Sequence, residues 1–92
     1  MVIRKNKSEV TFVLRLAQPV KNVRVVGNFN TWDAEQGRMQ KGKNGEWRKR
    51  VNLQPGRYEY KFVVDGEWQV DPDASESVRN QFGTENSVLQ LA

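Results

Sequence analysis

Two indoles, one amine and one carboxamide are the groups in this chain best suited to meeting a ligand. Trp32 lies in the polar loop Gly27-Asn28-Phe29-Asn30-Thr31-Trp32-Asp33, and Trp68 follows the tight turn Val64-Asp65-Gly66-Glu67. Lys61 and Asn86 complete the set. Large aromatic rings usually enter the core. A flat ring held in water at a strand end, with polar donors beside it, instead suits the apolar face of a sugar.

The composition narrows the alternatives. The 92 residues allow one small domain. There is no cysteine, so a disulfide framework, a thiolate nucleophile and a cysteine-based zinc site are excluded. Histidine is also absent, which removes the commonest metal ligand and the usual neutral-pH base. No cofactor is expected. The net charge of +4 permits anionic partners without demanding them. No stretch approaches the roughly 20 apolar residues of a membrane span, and the basic start, residues 1–7, is not followed by the apolar run of a signal sequence. The expectation is a cytoplasmic, soluble domain over residues 8–92, preceded by a tail over residues 1–7.

The elements that must position the four groups read as strands. Apolar residues alternate, with turn signals about every 8 to 12 residues, and no segment has helical periodicity. The pattern predicts an all-β sandwich with strands near 9–16, 23–29, 38–41, 46–53, 57–64, 67–70 and 87–91. A polar loop over 30–37 carries Trp32, and a long loop spans 73–86. Val10, Phe12, Leu14 and Leu16 share one face, as do Trp47, Val51 and Leu53, and as do Tyr58, Tyr60, Phe62 and Val64. Lys49 falls on the inner face of its strand, either as an inward charge guarding a sheet edge or through a slip of register. Pro55-Gly56 fits a type II turn.

The strongest local signal is Asp65-Gly66, a two-residue type I′ hairpin turn. It pairs Val64 with Glu67 and Val63 with Trp68, and residues opposite each other point to the same side of a sheet. Trp68 therefore faces outward with Val63 and Lys61, away from Tyr60 and Phe62. Lys61 is its diagonal neighbour, about 7–8 Å away and within reach of a long side chain. An aromatic platform and a charged donor on one exposed face follow from the turn alone. The bland alternative is that Lys61 only covers the ring by cation–π contact or stem packing. Trp32, flanked by Asn28, Asn30, Thr31 and Asp33, is either a second platform or a lid folded onto the core.

Several stretches together match one family: Val25-Val26-Gly27-Asn28-Phe29-Asn30-Thr31-Trp32, Tyr58-Glu59-Tyr60-Lys61-Phe62-Val63-Val64-Asp65-Gly66-Glu67-Trp68, Asp71-Pro72 and Phe82-Gly83-Thr84-Glu85-Asn86. From about Ser8 to Leu91 the chain resembles the glycogen-binding domain of the AMP-activated protein kinase beta subunit. More broadly it resembles the family 48 carbohydrate-binding modules, which also precede isoamylases and glycogen branching enzymes. The resemblance implies an immunoglobulin-like, early-set β-sandwich of about seven to eight antiparallel strands that binds α-1,4-linked glucans without catalysis. Its binding residues correspond to Trp32, Lys61, Trp68, Thr84 and Asn86. Where the kinase branch has a leucine leaning into the curve of the glucan, this chain has Phe82, which either takes that role, stacks as a third platform or packs under the loop. A glycogen-metabolising enzyme or kinase subunit is the implied protein partner.

Three other classes compete. The carboxylates Asp65, Glu67, Asp71 and Asp73 cluster as a glycoside hydrolase pair would, but such a pair needs a deep cleft, and Asp65 and Asp71 read as turn formers. The basic stretch Lys41, Lys43, Arg48, Lys49 and Arg50 is compatible with nucleic acid, yet reads as a solvated hairpin, and no nucleic-acid partner is expected. An early-set domain can also serve as a pure interaction module with no sugar affinity of its own.

Overall fold

The alternation in the sequence becomes nine antiparallel strands and no helix. The computed structural model describes residues 1–92 and assigns β1 (Val2–Arg4), β2 (Glu9–Arg15), β3 (Val23–Gly27), β4 (Gln40–Lys41), β5 (Glu46–Asn52), β6 (Gly56–Val64), β7 (Glu67–Gln69), β8 (Glu76–Arg79) and β9 (Glu85–Leu91). They form two sheets. One has the order β1-β2-β5-β4, and the other the order β3-β6-β9-β8, with β7 also paired to β6. With no helix present, none is long and apolar enough to cross a membrane.

Inward residues of the two sheets make the core. Val10, Phe12, Leu14, Trp47 and Leu53 come from the first sheet side, and Val23, Val25, Tyr60, Phe62, Val64 and Leu91 from the second. Phe12 joins the layers: its ring stacks on Phe29 at 5.2 Å and meets Tyr60 edge-on at 5.0 Å, spacings in the favourable range for aromatic pairs. Segment 37–41 crosses between the sheets, with Arg38 bridged to Arg24 of β3 and Gln40–Lys41 paired with β5. Gly37 allows the crossing, since a Cβ there would sit 1.9 Å from the carbonyl oxygen of Val25.

Two strands depart from the sequence expectation. Val2–Arg4, read as part of a tail, pairs with Phe12–Val10 as an edge strand. Glu76–Arg79, read as loop, pairs with β9. Both are short edge strands whose backbone bonds, not apolar alternation, hold them. Gly56, expected at the corner of a type II turn, is instead the first residue of β6, opposite Leu91. Lys49 does lie on the face of Trp47 and Val51, so no register slip occurs, and its strand is flanked by β2 and β4. Because β4 pairs only with Trp47 and Arg48, the edge beyond them at Lys49 is open.

The strand β6 organises the second sheet. One edge pairs with β3 through Tyr60–Val64. The other pairs with β9 through Gly56–Tyr60 and with β7 through Phe62–Val64. β7 and β9 thus share one edge of β6 and meet at Lys61. The turn between, where the chain leaves β7, is fixed from inside. Asp71 is buried, its Oδ2 accepts the Tyr60 hydroxyl at 2.6 Å, its Oδ1 accepts the Asp73 N–H at 2.9 Å, and its own N–H donates to Ser87 Oγ at 2.8 Å. The Met1 amino group also lies against Asp71. Burial first, then the bond to Asp71, pushes the Tyr60 phenol far above its ordinary value, so it stays a donor.

Tyr60→Phe removes that donor and leaves a buried carboxylate short of a partner. Urea unfolding should show a loss of about 1.5–3 kcal/mol, the range for hydrogen bonds to charged groups. A loss below about 0.5 kcal/mol would mean that Asp71 is held by its other contacts alone.

Candidate functional site

The outward face of the second sheet carries a groove of about 780 Å³, lined by Trp32, Lys61, Trp68, Asn80, Gln81, Phe82, Thr84 and Asn86. All six residues singled out from the sequence are in it, and two further ones, Asn80 and Gln81, join them. The register explains the gathering. Val63 lies opposite Trp68 and Val26 opposite Lys61, so Trp68, Lys61 and Val63 share the outward side. By the same alternation Asn86, one residue before the Ser87–Tyr60 pair, faces outward beside Lys61. The turn is as the sequence predicts: Asp65 and Gly66 have φ of 47° and 87°, both positive as a type I′ turn requires.

The three rings are open to water to different degrees. Phe82 is 80% exposed, Trp68 56% and Trp32 37%. Phe82 therefore does not pack under its loop. Lys61 differs from expectation. It lies on the predicted side, yet is only 8% exposed, with its amine donating to Thr84 Oγ1 at 2.9 Å. Alternation sets which side a residue faces, while the 80–84 loop folding over β6 sets how deep it sits.

Trp32 is held by a strained loop. Thr31 and Trp32 have φ of 52° and 59°, in the left-handed region that β-branched and bulky residues avoid. Each costs on the order of 1–3 kcal/mol and persists only where its surroundings over-determine it. Asn30 does so. It is buried, its Oδ1 accepts the Gly27 N–H at 3.0 Å, and its Nδ2 donates to the Val25 carbonyl at 3.1 Å. The Gly27 carbonyl in turn accepts the N–H groups of Asn30 (3.1 Å) and Trp32 (2.8 Å). Gly27 has no substitute, since a Cβ would meet the Glu59 carbonyl oxygen at 2.4 Å.

The polar wall is a chain of bonded groups. Arg57 donates to Glu59 Oε2 (2.9 Å), Asn86 Nδ2 to Glu59 Oε1 (3.0 Å), and Asn80 Nδ2 to Asn86 Oδ1 (3.0 Å) and Thr84 Oγ1 (2.8 Å). Sequence reasoning missed Asn80. An asparagine in a polar loop carries no periodic signal, and the only hint was its place three residues before Gly83, whose φ of 82° closes the turn with its N–H on the Asn80 carbonyl.

The residues of the competing readings sit elsewhere. Asp65 Oδ1 accepts the N–H groups of Lys21 and Asn22, both at 2.9 Å, and Asp71 is the buried anchor described above. Arg48 and Arg50 face outward from the other sheet, opposite Val13 and Thr11, so they and the indoles lie on different faces of the sandwich. Arg48 is paired with Glu46.

The Asn86 carboxamide, and after it the Arg57 guanidinium, hold the Glu59 carboxyl below its ordinary value of 4.5. A carboxyl depressed in the folded state contributes stability above its unfolded value and loses it as pH falls through the folded one. The Asn86 side-chain amide signal in an NMR pH titration should accordingly shift with a midpoint below 4.5. A midpoint above 4.5 would show that the Glu59–Asn86 bond does not form in solution.

Comparison with known proteins bears on this groove. The family model described as the glycogen recognition site of AMP-activated protein kinase matches residues 10–92. Protein PTST homolog 2, chloroplastic, of Arabidopsis thaliana is 39% identical over 76% of the chain, and protein FLOURY ENDOSPERM 6, chloroplastic, of Oryza sativa subsp. japonica is 38% identical over 82%. The 5'-AMP-activated protein kinase subunit beta-2 of Homo sapiens is 30% identical over 86%. The chain spans 13%, 14% and 28% of the length of these three relatives, respectively. The match over nearly all of the sandwich, with the groove on its outward face, means that this chain belongs to the glycogen recognition family of AMP-activated protein kinase and is a carbohydrate-binding module.

Proposed function

We propose that the module binds α-1,4-linked glucans, such as glycogen, starch chains, maltooligosaccharides and cyclodextrins, without catalysing their cleavage. The observation that carries this reading is the convergence of two partly exposed indoles with Lys61, Thr84 and Asn86 on one concave surface. Trp32 and Trp68 stack on the C–H faces of glucose rings, burying apolar sugar surface against the negative ring face. Phe82, the most exposed of the three rings, is a third apolar contact at the rim. Lys61, Thr84 and Asn86 bond to sugar hydroxyls and fix orientation, each adding about 0.5–1.5 kcal/mol net because the bond replaces one to water. Two separate platforms on one concave surface suit the curved α-1,4 chain better than a flat β-linked one.

Affinity should be on the order of micromolar to millimolar, as for a shallow groove with few ordered contacts. The relatives carry this module within longer proteins, so we read an attached or associated glycogen-metabolising enzyme or kinase subunit as the protein partner.

Trp68→Ala should nearly abolish retardation by glycogen in affinity electrophoresis while moving the melting temperature by less than about 4 °C, since the ring is more than half exposed. Wild-type retardation should be nearly independent of salt, unlike phosphate-directed binding. Normal retardation of the variant would place the binding site elsewhere, and a steep salt dependence with single-stranded DNA would favour nucleic acid.

A further inference from the structure

The loop 80–84 closes on the side chain of Asn80, and the hydrogen bonds there run in one direction only. Asn80 Oδ1 faces two backbone N–H groups, those of Phe82 at 2.9 Å and Thr84 at 3.2 Å. A backbone amide can only donate, so this carboxamide has a single satisfiable orientation, oxygen toward the loop. Both hydrogens of its Nδ2 are then committed, one to Thr84 Oγ1 at 2.8 Å and one to Asn86 Oδ1 at 3.0 Å. With its oxygen taken, Asn86 turns its own Nδ2 to Glu59 Oε1 at 3.0 Å, an acceptor-only carboxylate. The Thr84 hydroxyl also receives the Lys61 amine at 2.9 Å, and an ammonium only donates. A hydroxyl has two lone pairs. Those of Thr84 are both occupied, which leaves its hydrogen to face the groove.

We infer that Asn80 is a positioning residue that sets the polarity of this wall. Through it the Thr84 O–H, together with the remaining N–H hydrogens of Lys61 and Asn86, is presented outward as a donor. The wall therefore selects hydroxyl and ether oxygens acting as acceptors, and rejects a ligand edge that can only donate. The polyol identity of that ligand rests on the glucan reading above, whereas the polarity is a property of the free protein.

The test compares Asn80→Asp, Thr84→Val and the double variant. The aspartate keeps both acceptor contacts to the loop backbone but puts an oxygen against Thr84 Oγ1 and Asn86 Oδ1, which draws the Thr84 hydrogen inward. Calorimetric titration with maltoheptaose should show each single variant weakened by about three- to tenfold, the loss of one net hydrogen bond. The double variant should be no more than about twofold weaker than Asn80→Asp alone, because the aspartate has already removed the Thr84 donor. Wild-type affinity in Asn80→Asp, or losses that multiply in the double variant, would overturn the inference.

Absence of any maltoheptaose binding by the wild type would instead sink the glucan reading, and the polarity is then decided without ligand. Side-chain amide hydrogen exchange in the free wild-type protein should show both Asn80 Nδ2 hydrogens and one Asn86 hydrogen protected. Exchange of the Asn80 pair at the rate of an exposed carboxamide would overturn the inference whatever the sugar result, and whether or not the variants fold.

Discussion

The two-residue periodicity of β6, locked in phase by the Asp65–Gly66 turn, is the constraint on which the rest of this structure depends. One side of the strand supplies Tyr60, Phe62 and Val64 to the core, and the other supplies Lys61 and Val63 to the outward face. A slip of one residue would exchange the two sets, exposing the core aromatics and burying the amine without its partner. The turn prevents this because only residues tolerant of positive φ fit it, and Asp65 is further bound to the backbone of Lys21 and Asn22. Core and groove are thus two readings of the same nine residues.

The change of partner along one edge of β6 turns that periodicity into a site. β7 ends and β9 begins beside Lys61, so the chain between them must leave the sheet and return. The Asp71 knot under Tyr60 and Ser87 fixes the departure, and the Asn80 knot fixes the return. Past the second anchor the 80–84 loop, held by Asn80, brings Phe82 and Thr84 to the groove that Trp32 and Trp68 also line.

Much of this was legible in the sequence. Alternation in 9–16, 46–53 and 57–64 located three strands and most of the core, and Asp65-Gly66 fixed the side on which Trp68 and Lys61 face. What escaped is what alternation does not encode. Glu76-Ser77-Val78-Arg79 has a single apolar residue and becomes a strand only because β9 offers it a free edge. Val2–Arg4 is hidden by its basic neighbours for the same reason. The burial of Lys61 depends on Thr84, more than twenty positions away, and the centrality of Asn80 on the directions of four neighbouring dipoles. Depth and bond direction are tertiary quantities, and neither leaves a periodic trace.

The left-handed backbone at Thr31 and Trp32 has a kinetic consequence. An indole on a slack loop would have to be recruited from many orientations at each encounter, and association would carry that search as a delay. Here the backbone that carries the indole is set when the chain folds, with Asn30 as the latch. On the proposed glucan reading, an incoming chain meets a loop backbone already in its final arrangement, so tighter and looser occupants should differ mainly in how fast they leave.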